Sequence, residues 1–293
     1  LAFPLRWEGP YPDSTPMLIT LDDVLTPEEL ATARKLLAQS TWASGLITAG
    51  PQAARAQNNQ QLPEDAGHLP ALRRLVLGAL NRNALFFTAA LPLKILPPFF
   101  NRYGGGANHY GWHTDNAMRH TPDGHGYVRA DVSATLFLNE PEDYEGGELT
   151  IEDTFGSHGV KLKAGSLVVY PSSSIHQVTP VTRGERLACF LFIQSMVRDP
   201  GQRRLLFDMD MALLELREQL GEGEIAVTLT ADGESSFDET ACPGVWWVTH
   251  RNPHGAVASA FIEVAFVPEV VKAHHEDVAI GLEHLESLIS DLS

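Results

Sequence analysis

The segment Phe99-Phe100-Asn101-Arg102-Tyr103, followed by the turn Gly104-Gly105-Gly106 and then by Tyr110-Gly111-Trp112-His113-Thr114-Asp115, decides the fold. It opens a tract in which short β-prone runs alternate with Gly, Pro, Asn and Asp. The expected strands are Phe99 to Tyr103, Tyr110 to His113, Ala130 to Leu138, Glu148 to Ile151, Val160 to Leu162, Ser166 to Tyr170 and Leu187 to Gln194. Strands in succession with no helix between them predict an antiparallel sandwich or jelly roll, so the class is mainly β with supporting helices. The three glycines are not a phosphate loop, because no helix carrying Lys and Ser or Thr follows them.

Upstream, Thr26-Pro27-Glu28-Glu29 reads as a helix start, with Thr as N-cap, Pro at the first helical position and Glu in the first turn. Leu30, Ala33, Leu36 and Leu37 recur at helical spacing, which predicts a helix over 27–39. Pro51 to Gln61 is polar and reads as a loop or edge segment. Leu72, Leu75, Val76, Ala79 and Leu80 predict one longer helix over 69–91, ended by Pro92. Downstream, Leu205, Leu206, Met209, Leu213, Leu216 and Leu220 predict a helix over 200–220 with Gly221 as its stop. In the last seventy residues, Ala231 to Thr240 reads as an acidic loop, Cys242 to Trp247 as the start of a strand, and His274 to Leu292 as helical in spacing.

The 293 residues carry 37 Asp and Glu against 21 Lys and Arg, a net charge of −16. That balance excludes a general nucleic-acid or anionic-membrane binder. The charge is uneven: residues 222–293 hold 13 acids and two bases, so the preceding chain is only mildly acidic. The break predicts a boundary near Gly221. The two cysteines, Cys189 and Cys242, imply no disulfide framework, and Cys189 sits in an apolar run as a buried thiol. No secretory signal and no apolar stretch long enough to span a bilayer are seen, so a cytoplasmic location is expected. Residues 1–16 read as an upstream extension.

The chemistry rests on three residues. In an extended segment positions i and i+2 point the same way, so His113 and Asp115 can share a metal while Thr114 turns aside. His176, after the Val168-Val169-Tyr170 run, would be the third ligand. Two imidazoles and one carboxylate leave coordination positions open, which suits a ferrous centre that must also bind a cosubstrate and dioxygen. Alone, a His-x-Asp is weak, and two solvated loop residues would look the same. Arg186, ten residues beyond His176, strengthens it, because a guanidinium fork suits the carboxylate of a dicarboxylic acid. Tyr103 reads equally as a hydrogen-bond donor to that carboxylate or as a core tyrosine. His109 reads as a polar residue near the entrance, and His120, His125 and His158 as solvated loop residues.

These motifs, with Asp131 to Asn139, Tyr144 to Leu149, Pro171 to Val178 and Arg183-Gly184-Glu185-Arg186, resemble the bacterial PKHD-type hydroxylases. Those are Fe(II)/2-oxoglutarate dioxygenases related to prolyl 4-hydroxylase. The resemblance covers about Met17 to Thr230. It implies a double-stranded β-helix (cupin-like), Fe(2+) on His113, Asp115 and His176, and 2-oxoglutarate on Arg186. It also implies ascorbate as a cofactor, a link to iron uptake or homeostasis, and a small-molecule or peptidyl substrate hydroxylated with release of succinate and CO2.

The expected organisation is an extension (1–16), a helical support region (17–96), a jelly-roll core (97–198), the family's helical C-terminal piece (199–230) and an acidic tail (231–293). The leucine stripe of the 203–220 helix is a candidate homodimer surface. The alternative reading is a metal-binding or iron/2-oxoglutarate-sensing jelly roll that turns nothing over; a pure metal site has no need of Arg186. A zinc hydrolase is disfavoured, since no general base stands beside the triad.

Overall fold

A computed structural model describes residues 18–48, 56–121, 124–153, 156–220, 245–251 and 257–263. Helix α1 (Pro27–Ala38) starts as expected: the Thr26 hydroxyl accepts from the Glu29 backbone, and the Glu29 carboxylate returns the bond to the Thr26 N–H. The single helix expected over 69–91 is instead two, α2 (Leu69–Asn81) and α3 (Ala84–Ala90). Asn83 causes the break, because its side chain leaves helical geometry to cap the Phe86 N–H. Leu91 then closes α3 in the left-handed region, at φ 42°, immediately before Pro92. Both longer helices are fastened to the β-structure by buried stems: Arg34 Nε donates to the Leu138 carbonyl and Arg73 Nε to that of Pro98.

Two antiparallel sheets make up the jelly roll, and further two-stranded sheets accompany them, among them Tyr144–Gly146 with Val181–Gly184. The larger runs in the order Ile19–Leu21, Leu167–Pro171, Val132–Phe137, Arg186–Ser195, Phe99–Tyr103, Gln60–Gln61 and Ala43–Ser44, with Pro92–Ile95 also pairing on Arg186–Ser195. The smaller runs Gly156–Val160, Leu149–Asp153, Ile175–Val178, His109–His113 and Gln57–Asn58. The jelly-roll class is therefore observed. Every residue of Val132–Phe137 is buried, as befits a central strand covered on both faces. Its register with Arg186–Ser195 and Leu167–Pro171 sets Ser133, Thr135 and Phe137 on one face with Ala188, Phe190, Phe192, Val168 and Tyr170. Cys189 lies on the other face, fully buried, and burial pushes its thiol pKa up.

Several strands lack an apolar signature. The one placed at Val160 to Leu162 lies earlier, at Gly156–Val160, a polar edge strand with one buried residue. The polar stretch before Leu62 supplies two short strands, one at the edge of the smaller sheet and one between Phe99–Tyr103 and Ala43–Ser44 in the larger, so the chain passes from one sheet to the other at Asn59. The region after Asp115, read as loop, contains the hairpin Met118–His120 with Tyr127–Arg129.

The chain divides into two compact units, Leu1–Arg204 and Leu205–Ser293. The helix α4 (Pro200–Leu220) has the expected span, and its buried Arg203 donates to the carbonyls of Val197 and Arg198. The second unit contains an antiparallel hairpin, Val245–Arg251 with Val257–Glu263. The strand expected from Cys242 thus begins at Val245. The loop expected at Ala231 to Thr240, the helical spacing at His274 to Leu292 and residues 1–16 lie outside the described residues. No helix among the described residues is long and apolar enough to cross a membrane.

Candidate active site

Antiparallel pairing of Ile175–Val178 with His109–His113 sets His176 directly opposite His113. A residue pair far apart in sequence thereby becomes a cross-strand pair, and Asp115 follows just beyond the strand end. One donor atom from each of His113, Asp115 and His176 lies within 4.8 Å of the others. Among the described residues, no other group of three His, Cys, Asp or Glu side chains meets that spacing.

Backbone carbonyls orient both imidazoles. His113 Nδ1 lies 2.7 Å from the Gly111 oxygen, and His176 Nδ1 lies 3.0 Å from the Ser174 oxygen. A carbonyl only accepts, so each Nδ1 carries the proton and each Nε2 presents a lone pair, the tautomer that metal ligation requires. Tyr110 stacks on His113 with ring centroids 3.6 Å apart, which fixes the ring plane. Asp115 Oδ2 accepts from the Ser133 hydroxyl at 2.6 Å, and Ser133 is itself 2.8 Å from Ser172 Oγ. The same carboxylate oxygen is 3.7 Å from His176 Nε2.

Burial, reinforced by the neighbouring His176, lowers the His113 pKa from 6.5 to about 4, against the opposing pull of Gly111 and Asp115. The ring is thus neutral across the physiological range. The sign for stability follows: between pH 6.5 and about 4 the unfolded chain binds a proton at this site that the folded chain refuses, so stability falls as pH drops through that window. Metal-free protein is expected to show a declining urea midpoint over this range, and His113→Gln to flatten that part of the profile.

Arg186 begins the central strand opposite Tyr103 and is 1% exposed. Its guanidinium carbon stands 5.2 Å from the ring centroids of both Tyr103 and Phe137. None of its three nitrogens has a hydrogen-bond partner. Burial raises the Tyr144 pKa, and the charge and the side-chain contact of the nearby guanidinium oppose that rise, although the two groups stand outside full hydrogen-bond geometry. Burial likewise raises the Tyr103 pKa, so its phenol stays protonated and able to donate. Tyr103 is therefore both a core tyrosine and a neighbour of Arg186, and it accepts from Asn101 Nδ2 at 3.2 Å.

The triad, Arg186 and Tyr103 line one cavity, with about 740 Å³ of empty space including its mouth. Its lining includes residues not anticipated from sequence. Gln57, Asn59 and Gln61 alternate with outward neighbours across the sheet-to-sheet crossing and are all buried. Their period of two is invisible in the sequence, because an all-polar run carries no hydrophobic contrast to reveal it. Arg119 enters from the hairpin after Asp115. His109 instead bonds Asn108, and His120 packs on Tyr127, both away from the cavity lining.

The donor set fits a ferrous ion, and the orphaned guanidinium fits a carboxylate, since an unpaired cation this deeply buried is tolerated only where an anion completes it.

The profile of the 2OG-Fe(II) oxygenase superfamily matches residues 98–194. A PKHD-type hydroxylase of Azoarcus sp. (strain BH72) is 76% identical over 211 residues, covering 72% of this chain and 92% of that protein. One from Nitrosomonas europaea is 72% identical over 214 residues, covering 73% of this chain and 94% of that protein. A Pseudomonas putida prolyl-4-hydroxylase structure shares 26% identity, covers 61% of this chain and 94% of that chain, and has a TM-score of 0.40. Separately, the profile of the HupH hydrogenase expression protein C-terminal conserved region matches residues 207–292.

Proposed function

Because the chain belongs to the PKHD-type hydroxylases, a family of Fe(II)- and 2-oxoglutarate-dependent oxygenases, we propose that His113, Asp115 and His176 hold its iron and that Arg186, with Tyr103 beside it, holds its 2-oxoglutarate. The observation that carries the assignment is the buried, unpartnered Arg186 in the same cavity as three convergent donors. A bare metal site, of iron or zinc, would not need that cation.

Iron, when bound with 2-oxoglutarate and dioxygen, supplies the oxidising chemistry that places one oxygen atom on a substrate C–H bond and the other in succinate, with loss of CO2. The chain's own residues do the positioning. Arg186 neutralises and orients one carboxylate, with its planar fork matched to two oxygens. Gly111 and Ser174 hold both imidazoles with Nε2 turned inward, while Ser133 fixes the Asp115 carboxylate. Phe190, Phe192 and Leu149 give the lining an apolar wall opposite buried polar side chains such as Gln57, Asn59 and Gln61. Ascorbate as an added reductant follows from family kinship only.

Succinate formation from 2-oxoglutarate, measured with and without added Fe(II), tests the reading. Bound iron with no 2-oxoglutarate turnover under any substrate tried would count for the sensing alternative.

A second reading concerns residues 207–292. Their match to a hydrogenase expression protein region and the charge break near Gly221 support a separate acidic module joined to the hydroxylase body, one that directs it towards hydrogenase assembly. Removal of residues after 230 should then abolish association with hydrogenase components while succinate formation persists; loss of neither would remove the reading.

A further inference from the structure

Arg186 is not the cavity's only cation. Arg119 lies on the hairpin Met118–His120 with Tyr127–Arg129, in register with Val128. Val128 is buried against Leu96, Ala130 and Phe192, so the alternation of the hairpin turns Arg119 inward while Met118, His120 and Tyr127 stay exposed. Its guanidinium carbon sits 3.6 Å from the centroid of Phe192, a cation–π seat that fixes its position.

Among the described residues Arg119 has no hydrogen bond or ion pair. The arginine on the paired strand differs: Arg129 forks onto both oxygens of Asp131, at 2.6 and 2.8 Å. Burial works against the charge on Arg119, and Asp115 is the nearby anion that favours it. Yet Asp115 is engaged by Ser133 and belongs to the proposed metal site, where its charge is used. With that site filled, Arg119 faces the cavity uncompensated.

Its place also separates it from Arg186. Six residues divide Arg186 from Phe192 along one strand, roughly 20 Å at a strand's usual rise. Asp115 bonds Ser133, which pairs with Phe192, so Arg119 stands at the metal end and Arg186 at the far end. Between them Phe190 lines the cavity, stacked on Phe99 at 5.2 Å.

We propose that Arg119 is a second anion-binding residue, which takes a carboxylate-type group at the metal end of the cavity and makes the primary substrate an anion carried on an apolar body. The same chemistry has a second source in the oxoacid end of 2-oxoglutarate, and the test separates the two. The proposal rests on the assignment of iron and 2-oxoglutarate to this cavity.

The full chain would be loaded with Mn(II), a paramagnetic and unreactive stand-in. Calorimetric 2-oxoglutarate binding to wild type and Arg186→Gln tests the underlying assignment by itself. With the unreactive analogue N-oxalylglycine bound, proton relaxation of phenylacetate then reports anion binding near the metal, with neutral phenylacetamide as control. A saturable effect for phenylacetate alone, weakened at least tenfold in Arg119→Gln and partly kept in Arg119→Lys, supports the primary-substrate source. An Arg119→Gln defect of that size in 2-oxoglutarate binding, with no phenylacetate site, supports the cosubstrate source instead. If Arg119→Gln changes neither ligand while wild type binds 2-oxoglutarate, the proposal is overturned and the assignment stands. Thermal melting of both variants checks that the hairpin remains folded.

Discussion

Arg186→Met is expected to raise the stability of the metal-free protein while nearly abolishing its affinity for 2-oxoglutarate. Three unpartnered nitrogens on a side chain 1% exposed make the folded state carry an uncompensated charge. Replacing buried ionic groups by apolar side chains of similar volume stabilises by about 1–4 kcal/mol where the ions were poorly compensated, enough to lift the melting temperature by several degrees. Methionine fills the space between the Tyr103 and Phe137 rings without that penalty. The loss in binding is larger, because a carboxylate entering the cavity would find no counter-charge. Breaking a buried pair costs about 3–5 kcal/mol, or roughly two to four orders of magnitude in dissociation constant. Arg186→Lys should fall between, with a charge but no fork. Calorimetry and thermal melting together read the two effects, and a variant that lost stability without losing 2-oxoglutarate affinity would make Arg186 an ordinary core residue.

Asp115→Ala is expected to remove iron binding and succinate formation together. Loss of a residue that merely supports a metal ligand costs roughly 10–100-fold in affinity or activity, and loss of the carboxylate ligand should exceed this. The substitution also strips the Ser133 hydroxyl of its acceptor, although Ser172 remains 2.8 Å away to receive it. The fold should survive, since Asp115 lies past the end of its strand and anchors no ladder bond. Asp115→Asn separates charge from shape, because its carboxamide oxygen can still accept from Ser133. Metal titration of the two variants at one pH is the check. Retained tight iron binding in Asp115→Asn would mean that hydrogen-bonded shape, not charge, holds the metal.

Much of the site was legible because its members announce themselves chemically. His113, Asp115, His176 and Arg186 are residue types rarely buried in a β-sandwich, set beside strong strand signals, and the fold brings them into one cavity. The helix start at Thr26 was equally plain, since Thr, Pro and Glu each act within one turn. What stayed hidden depends on long-range pairing. Gln57, Asn59 and Gln61 have no apolar contrast, and only their separate partners, Tyr110 in one sheet and Asn101 in the other, give them strand geometry. The Asn83 break was hidden by leucines that keep a helical rhythm on both sides of it. Arg119 looked like a loop residue because its hairpin is three residues long on each side and its inner face holds only Arg119 and Val128.

The pairing of His113 with His176 also bears on how the protein reaches its native state. Each of the two histidines comes from a strand whose partner is remote in sequence, and such contacts form slowly because a long loop must close first. The side-chain period of a strand is two, so a slip of one residue would face Gln177 or Ile175 into the cavity in place of His176 and leave no ligand there. Metal can therefore bind tightly only to chains whose smaller sheet has closed in the correct register. At a free concentration one hundred times the dissociation constant that selectivity adds about 2.7 kcal/mol to the native state alone. With iron held at the proposed ligands, its supply would favour chains in the correct strand register, and its scarcity would be felt as a shortage of correctly folded chains.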